Sequence, residues 1–474
     1  MFDNGAGLID EVGAASRAES VAMAARLAAI GALDALRAVQ MAERKLWVLD
    51  PFAAVAAEIS AAQNISRSRA GNQIHLARAL RDDLPEVAKV FATGAIDFRM
   101  VDTIIVRTQN VDADRMGDLD AAIARHCVRW MRMSKPKLRD RIDLWVTKFD
   151  PDARRVPPSV DQGRYVETSP STPGMAVMVA HAHAEDVAGF EARLDAVAAT
   201  VCVHDPRTTE QRRADALGPV GRYEATLACR CGRDDCTAKA QRSALRDVVI
   251  HVLAEQPTLD GTGDHPGYLP GFGILPAESV RDLVADGATI EPLVIPDAAA
   301  AAGSGYRLTR AQQAFIRWRD LTCRFPGCDQ PAEVCDIDHT TPYPYGATHP
   351  SNTKLYCRHH HLLKTFYSDV GWADRQLPDG TVAITTPTGH TYSTEAHGAA
   401  LFPALAHPTG ELANVVVPAE SEQRGAMMPT RRQTREQDRH DRITNERRER
   451  HNLNREQQRQ RQAWLTDNQQ PPPF

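Results

Sequence analysis

Metal-ligating side chains concentrate in one short stretch of the chain, residues 323–364. Four of them fall into two pairs, because Cys323 and Cys328 are separated by four residues, and Cys357 and His360 by two. Thiolate and imidazole groups at such spacings suit one tetrahedral zinc ion. The sequence therefore predicts a structural Zn²⁺ site here, and it leaves the other polar residues of the stretch free for chemistry.

Those other residues form a set suited to cutting a phosphodiester bond: Asp338, His339, Asn352 and His361. Such cleavage needs an activated water, a divalent cation that offsets charge on the phosphate, and donors that hold the phosphate. An imidazole with a pKa near neutrality suits the activation of water. In order and position the four residues resemble the HNH, or ββα-metal, nuclease motif.

This resemblance implies a role for each residue. His339 would be the general base, and Asp338 and His361 would together hold one hard divalent ion, Mg²⁺ or Mn²⁺. Asn352 would bind that metal or orient His339, since an amide can both accept and donate hydrogen bonds. The sequence does not choose between these two roles for the amide.

Basic residues around the last His add two expected contacts and one ambiguity. Arg358 and Lys364 would contact nucleic acid, and Lys364 lies one helical turn beyond His361. Three histidines are consecutive, namely His359, His360 and His361. A shift of one residue would therefore exchange the zinc-binding and catalytic roles.

A different class of function is also open. A zinc-stapled HNH fold can serve as a nucleic-acid-binding or scaffold protein that is catalytically silent, because a motif does not prove turnover. Cys335 lies between the two ligand pairs and is expected to be a buried thiol rather than a ligand. Replacing His339 should separate the two classes, since only an enzyme would lose activity.

Composition excludes several other classes of protein. The chain has 474 residues, of which 43% are hydrophobic and 25% charged, as is usual for soluble globular proteins with more than one domain. Acidic residues at Asp3, Asp10 and Glu11 argue against a signal peptide, and no stretch is apolar enough for a membrane span. Nine cysteines that mostly cluster favour metal sites in a reducing compartment. We expect a cytoplasmic protein without a membrane partner.

Local charge favours DNA as the partner, although the net charge is −5. Residues 307–364 hold eight Lys or Arg against five Asp or Glu. Residues 431–461 hold eleven Arg against six acidic residues and almost no aliphatic ones. This second stretch predicts a solvated, disordered tail, with an Arg-rich arm on nucleic acid as the alternative.

The coarse pattern predicts an α+β multidomain protein. Residues 14–150 are expected to be helical, and residues 151–295 to be an α+β region. Residues 305–395 would form a zinc-stapled ββα-metal domain, and residues 408–474 the disordered tail. Within the middle region we expect a hairpin over 164–168 and 175–182, a helix over 185–201 and a strand over 247–254.

Two further features keep alternatives open. Residues 56–80 read as two helices about a turn, with Ser66 as a cap, which suits either a helix-turn-helix DNA reader or, preferably, two packed helices of a bundle. Cys229, Cys231 and Cys236 form a second cluster that either binds a metal or consists of plain reduced cysteines. A fourth ligand would have to come from Cys202, His204 or His251.

The chain as a whole resembles the 13E12-repeat proteins. The resemblance rests on the run 211–217, Gln-Arg-Arg-Ala-Asp-Ala-Leu, on the Cys-x-Cys-Gly cluster, and on the run 322–328, Thr-Cys-Arg-Phe-Pro-Gly-Cys. Proteins of that family pair a domain of unknown function, number 222, with a C-terminal HNH endonuclease domain. Over residues 15–395 the resemblance implies an HNH-type endonuclease that hydrolyses DNA, and it implies nothing about the DNA sequence cut.

Overall fold

The chain forms two compact units. The computed structural model describes residues 5–156, 163–236, 238, 251–285, 287–296, 305–410 and 427–467. One unit comprises Met1–Val156 together with Pro292–Phe474, and the other is Pro157–Glu291. Helices predominate, with small antiparallel sheets, so the architecture is α+β. Within the described ranges no helix has both the length and the apolarity needed to cross a membrane.

The first unit begins with a layer of helices. Asp50, Ser66 and Asp97 each begin a helix by accepting a hydrogen bond from the backbone N–H three residues on, as the sequence predicts for Ser66. The described helices of the layer are α1 (Gly5–Gln40), α2 (Pro51–Gln63), α3 (Arg67–Arg78), α4 (Pro85–Ala92), α5 (Phe98–Thr108), α6 (Ala113–Trp130) and α7 (Lys135–Phe149).

One apolar core holds this layer together. Ile74, Phe91, Ile104 and Ile123, from four different helices, are all fully buried in it. Burying a side chain of this size contributes about 1.5–3 kcal/mol. The buried carboxylate of Asp120 in α6 also accepts hydrogen bonds from the first N–H groups of α4, which ties these two helices together.

The second unit contains a hairpin, helices and a short second hairpin. Its elements are β1 (Tyr165–Pro170), β2 (Ala176–His181), α8 (Ala184–Ala198), α9 (Thr209–Gly221), α10 (Gln256–Leu259), β3 (Gly267–Leu269), β4 (Gly273–Leu275) and α11 (Ala277–Ala285). The expected first hairpin and the helix after it are therefore confirmed. Residues 247–250 of the expected strand lie outside the described residues, and Leu253 makes one antiparallel bridge to Tyr268.

The C-terminal part of the first unit holds the predicted metal ligands. Strand β5 pairs antiparallel with β6, and helix α13 starts directly after β6. A three-stranded antiparallel meander, β7-β8-β9, follows. The elements are α12 (Arg310–Asp320), β5 (Cys335–His339), β6 (Thr353–Cys357), α13 (Arg358–Phe366), β7 (Ala373–Gln376), β8 (Val382–Thr385), β9 (Thr391–Thr394), α14 (His397–Leu401) and α15 (Arg435–Asp467).

A cation between two aromatic rings joins the helical layer to the segment after α13. The guanidinium carbon of Arg44 lies 4.8 Å from the ring centroids of both Trp47 and Tyr367. Arg44 also pairs with Asp369, and the Tyr367 hydroxyl donates to the carbonyl of Leu49. The segment that carries the predicted metal ligands is therefore packed against the helical layer.

The tail differs from its prediction, because residues 435–467 form the helix α15 instead of a disordered chain. This helix has no apolar face, so hydropathy gives no sign that it docks. Polar contacts hold it instead: Arg435 Nε lies 2.6 Å from Asp50, and Arg447 Nη1 lies 2.6 Å from Asp150. The prediction of disorder fails here because the partners of these arginines lie far away in the sequence.

Helices α2 and α3 favour the packed-bundle interpretation over a DNA reader. The amides of Gln63 and Gln73 hydrogen-bond each other at 3.1 Å. The ring of His75 packs against Phe52 with a centroid distance of 4.9 Å. Two polar side chains of α3, Gln73 and His75, are thus used to join the helices.

The turn between the first two predicted zinc ligands rests against the connection between α2 and α3. Gly327 in this turn has φ +72°, and a Cβ there would lie 2.3 Å from the carbonyl oxygen of Ile65. The Ser60 hydroxyl donates to the neighbouring carbonyl of Pro326 at 3.3 Å. Only glycine gives both the left-handed backbone and this close approach.

We expect Gly327→Ala to destabilise the unit well beyond the cost of its backbone angle. Gly389 is the matched control, because it has φ +80° and would place a Cβ with nothing within 4 Å. Gly389→Ala should lower the free energy of unfolding by about 1 kcal/mol, and Gly327→Ala by at least about twice as much. Urea unfolding followed by tryptophan fluorescence measures both. Equal losses would contradict the close packing of this turn.

Candidate metal centre and active site

Four predicted ligands meet at the junction of β6 and α13. Cys323 and Cys328 flank the turn after α12, Cys357 ends β6, and His360 lies in the first turn of α13. Their ligand atoms all lie within 4.8 Å of one another. Three sulfurs and one imidazole in this arrangement could hold a metal such as zinc.

The surroundings of this group fit a bound cation. His360 Nδ1 lies 3.4 Å from Cys323 Sγ and 3.3 Å from Cys357 Sγ, and ligands around a tetrahedral zinc are about 3.6 Å apart. The His360 ring is stacked on Phe325 with a centroid distance of 3.8 Å, which fixes its orientation. Burial raises the pKa of Cys323 well above its usual value, so ionised sulfurs here require a compensating positive charge.

A buried charge cluster at the end of α12 positions the group. The fully buried carboxylate of Asp320 pairs with Arg319 and Arg324 and accepts a hydrogen bond from the Leu355 N–H at 2.8 Å. Burial would raise the pKa of Asp320, but the two guanidinium groups outweigh it and lower that pKa. This cluster joins α12 to β6 and so sets the distance between the two ligand pairs.

The neighbouring thiol and histidines take other places. Cys335 is buried, and its Sγ lies 3.5 Å from the carbonyl of Gln330, outside the four-ligand group. His359 packs edge-on against His360 with a centroid distance of 5.0 Å. His361 lies outside the sulfur group and contacts Asp338, so of the three histidines His360 is the one that joins the sulfurs.

Asp338 of β5 lies between two lysines, one on the paired strand β6 and one on α13. Its cross-strand partner is Lys354, whose Nζ lies 3.2 Å from Asp338 Oδ2, and Lys364 Nζ of α13 lies 2.6 Å from the same oxygen. Burial would raise the pKa of Asp338, but the lysines and His361 lower it to about 2. The carboxylate is therefore ionised at neutral pH.

His361 bridges two carboxylates. Its Nε2 lies 3.4 Å from Asp338 Oδ1, and its Nδ1 lies 3.0 Å from Asp336 Oδ2. A proton on Nδ1 shared with Asp336 leaves the Nε2 lone pair facing Asp338. Two ligands at about 2.1 Å from one divalent ion are about 3 Å apart or slightly more, so Asp338 Oδ1 and His361 Nε2 fit a shared ion.

His339 is nearly buried at the mouth of the same site. Its Nε2 lies 3.0 Å from the hydroxyl oxygen of Thr348, and its ring stacks on Tyr306 with a centroid distance of 5.4 Å. Burial lowers the pKa of His339, and the lysines add to this effect while Asp338 opposes it. A lowered pKa favours the neutral ring, which can accept a proton.

Asn352 does not contact the His339 ring through any described hydrogen bond. Its Oδ1 accepts from the Thr341 N–H at 2.8 Å, and its Nδ2 donates to the carbonyls of Thr341 and Ala347 at 2.9 Å each. The amide therefore closes the loop between β5 and β6. The expected role of orienting His339 falls to Thr348, which lies in that loop.

The two expected nucleic-acid contacts have different environments. Lys364 directs its ammonium group inward, to Asp338 and to the His339 carbonyl, and burial lowers its pKa. This corrects the expectation that Lys364 contacts phosphate. Arg358 has 65% of its side chain exposed and lies 3.6 Å from Asp336, so its contact with nucleic acid stays a prediction.

Sequence reasoning missed a buried polar group beneath the site. The fully buried ammonium of Lys354 lies 2.8 Å from Asp374 Oδ2, and the Tyr356 hydroxyl donates to the same carboxylate at 3.0 Å. Burial would lower the pKa of Lys354, but Asp374 and Asp338 raise it. The available signal was a lysine inside a strand of otherwise core-forming residues, which predicts a buried partner.

The side chains of Asp338, His339, His361 and Lys364 line one cleft of about 220 Å³. Aromatic, imidazole and charged groups converge there, and a concave site with a few convergent polar groups is a candidate ligand site. The residues that line the cleft are Tyr306, Ile337, Asp338, His339, Pro342, Tyr343, His361, Lys364 and Thr365.

Comparison with known proteins identifies the family of the chain. Residues 14–320 match the family described as "Domain of unknown function (DUF222)". The chain belongs to this family. The match ends before Cys323, so the four-ligand group and the cleft residues after it lie beyond the matched part.

Two relatives from Mycobacterium tuberculosis match most of the chain. The uncharacterized protein Rv2100 of Mycobacterium tuberculosis is 40% identical over 477 residues, which cover 91% of this chain and 85% of the relative. The uncharacterized protein Rv3776 of the same species is 38% identical over 469 residues, which cover 93% of this chain and 89% of the relative. No solved structure matches the chain.

We expect His360→Ala, and not His361→Ala, to remove one equivalent of zinc from the purified protein. Only His360 directs a ring nitrogen at the sulfurs. Metal analysis by mass spectrometry measures the loss, and Cys335→Ala is the control, since it removes a buried thiol outside the group. Loss of zinc in His361→Ala with retention in His360→Ala would show that the assignment is shifted by one residue.

Proposed function

We propose that this protein is an HNH-type, metal-dependent endonuclease that hydrolyses DNA phosphodiester bonds. The observation that carries the proposal is the position of a neutral-favouring imidazole, His339, beside the Asp338–His361 pair in one cleft. The hairpin and helix that present these residues, β5, β6 and α13, have the ββα order of the nuclease motif. The neighbouring sulfur and imidazole group would be its structural zinc site.

Different residues of the cleft would carry out different parts of the reaction. With Nε2–H donated to Thr348, Nδ1 of His339 carries the lone pair that takes a proton from water. The oxygen of that water attacks phosphorus, and the bond from phosphorus to the leaving sugar oxygen breaks. The sugar oxygen keeps the bonding electrons and takes a proton from solvent water. A magnesium or manganese ion held by Asp338 Oδ1 and His361 Nε2 would offset the negative charge that develops on the phosphate.

Asp336 and Thr348 act as positioning residues in this account. Asp336 fixes the protonated nitrogen of His361, and Thr348 fixes the ring of His339. Such outer contacts typically change metal affinity or activity by about 10–100-fold. Asn352 contributes indirectly, because it closes the loop that carries Thr348.

The local positive charge and the exposed aromatic rings at the cleft favour DNA as the substrate. Residues 307–364 carry more basic than acidic side chains, and Arg358 is exposed at the start of α13, where a helix N-terminus also favours phosphate. Tyr306 is 64% exposed and Tyr343 41%, so each offers a ring face at the cleft. Aromatic faces of this kind stack on nucleobases or sugars.

We expect purified wild-type protein to nick or linearise supercoiled plasmid with Mg²⁺ or Mn²⁺ and not with EDTA. His339→Ala should reduce the rate at least about 100-fold, because it removes the group that takes the proton. His390→Ala, the same change at an exposed histidine of the unit, should keep the wild-type rate. Thr348→Val should lower the rate about tenfold and leave zinc content unchanged.

Cutting that survives in His339→Ala would contradict the assignment of the base. Folded, zinc-loaded wild-type protein that cuts neither supercoiled, linear nor single-stranded DNA would contradict the proposed activity itself. Circular dichroism and zinc content of each variant show whether a loss of cutting comes from the chemistry or from unfolding.

One observation favours the second candidate, a catalytically silent zinc-stapled nucleic-acid-binding or scaffold protein. Asp338 Oδ2 already lies near two ammonium groups, so the site has balanced charge without a divalent ion. In that case the protein would retard DNA in a gel equally with EDTA and with Mg²⁺. His339→Ala would then leave both binding and the DNA unchanged.

A further inference from the structure

Four cysteines of the second unit converge on one point. Cys202 lies in the loop after α8, and Cys229, Cys231 and Cys236 lie in the loop after α9. All four sulfurs lie within 4.8 Å of one another, and those of Cys202 and Cys229 are 3.5 Å apart. Of the candidates that the sequence offered as fourth ligand, the structure brings in Cys202.

A network of charged and backbone groups holds the two loops together beside these sulfurs. The side chain of Asp205 is fully buried and lies 2.8 Å from Arg207, and it accepts a hydrogen bond from the Arg230 N–H at 2.9 Å. Arg207 also donates to the Ala228 carbonyl at 2.7 Å. The positions of Cys202 and Cys229 are therefore fixed by contacts that do not involve sulfur.

The loop that carries Cys229, Cys231 and Cys236 contains a left-handed glycine. Gly232 follows Cys231 with φ +67°, a left-handed backbone angle that favours glycine. A Cβ there would meet nothing within 4 Å, so glycine is favoured by the backbone angle and not by a lack of space.

The apolar core around α8 and α9 is small. Among the described residues, its fully packed members are Val197, Ala198, Ala216 and Leu227. Three of the four are small or β-branched and together bury little surface, so they contribute little free energy. A metal ion that links the loops after α8 and α9 would add to the stability of so small a core.

We propose that Cys202, Cys229, Cys231 and Cys236 bind a second structural zinc ion, which joins the loops after α8 and α9. Four thiolates around one zinc lie about 3.8 Å apart, close to the separations here, and all four sulfurs are then used. A disulfide would use two sulfurs and leave two free. This site is independent of the proposed nuclease activity, since its ligands lie in the other unit.

The test is the zinc content of the full-length protein purified under reducing conditions. Wild type should hold two equivalents. Cys231→Ser and Cys328→Ser should each hold one, and the double variant none. Cys127→Ala, which removes a buried thiol outside both groups, should hold two. If Cys231→Ser fails to fold, thiol alkylation of the wild-type protein is measured instead. Added zinc should then protect the three cysteines of the Cys328 group and, in addition, the four cysteines proposed here.

Two results would overturn this second site. One is a wild-type protein with a single equivalent of zinc that Cys231→Ser retains and Cys328→Ser loses. The other is a disulfide between Cys202 and Cys229. It would be detected as the mass of a linked peptide when protein purified with reductant is digested without reductant. Loss of one equivalent in both Cys231→Ser and Cys202→Ser, with normal circular dichroism, would support it.

Discussion

The convergence of three sulfurs and one imidazole inside the first unit determines which way the side chains near the cleft face. Cys357 ends β6, and His360 lies three residues later, so both must turn toward the same point as the helix begins. Adjacent residues on a helix point about 100° apart. Once His360 faces the sulfurs, His361 must face elsewhere, and the hairpin places Asp338 in front of it. Burial of this group therefore sets the geometry of the candidate active site.

A second constraint is charge compensation beneath the cleft. Lys354 has no exposed surface, and its ammonium is balanced by Asp338 and Asp374 together. Removing either partner of a buried pair typically costs about 3–5 kcal/mol, because it leaves an uncompensated charge. The same arrangement keeps Asp338 ionised with one oxygen turned to His361. Stability and proposed chemistry thus depend on the same carboxylate.

Sequence reasoning captured what local patterns encode and missed what distant residues supply. Ligand spacing predicted the Cys323 group, and two nearby strand-like runs predicted the first hairpin of the second unit, since both depend on neighbours in the chain. Thr348 and Asp336 were missed because nothing local marks a hydroxyl or a surface carboxylate as the partner of a particular ring. The docking of α15 was missed because arginine pairs across hundreds of residues leave no hydropathy signal.

In the proposed mechanism Asp338 and His361 share one hard divalent ion beside His339. Electron paramagnetic resonance of Mn²⁺ titrated into the zinc-loaded protein detects this ion, because free and bound Mn²⁺ give different signals. We predict one bound Mn²⁺ per chain with coupling to one imidazole nitrogen, lost in His361→Ala and retained in His339→Ala. Absence of binding in the folded wild type, or binding that His361→Ala leaves unchanged, would contradict it.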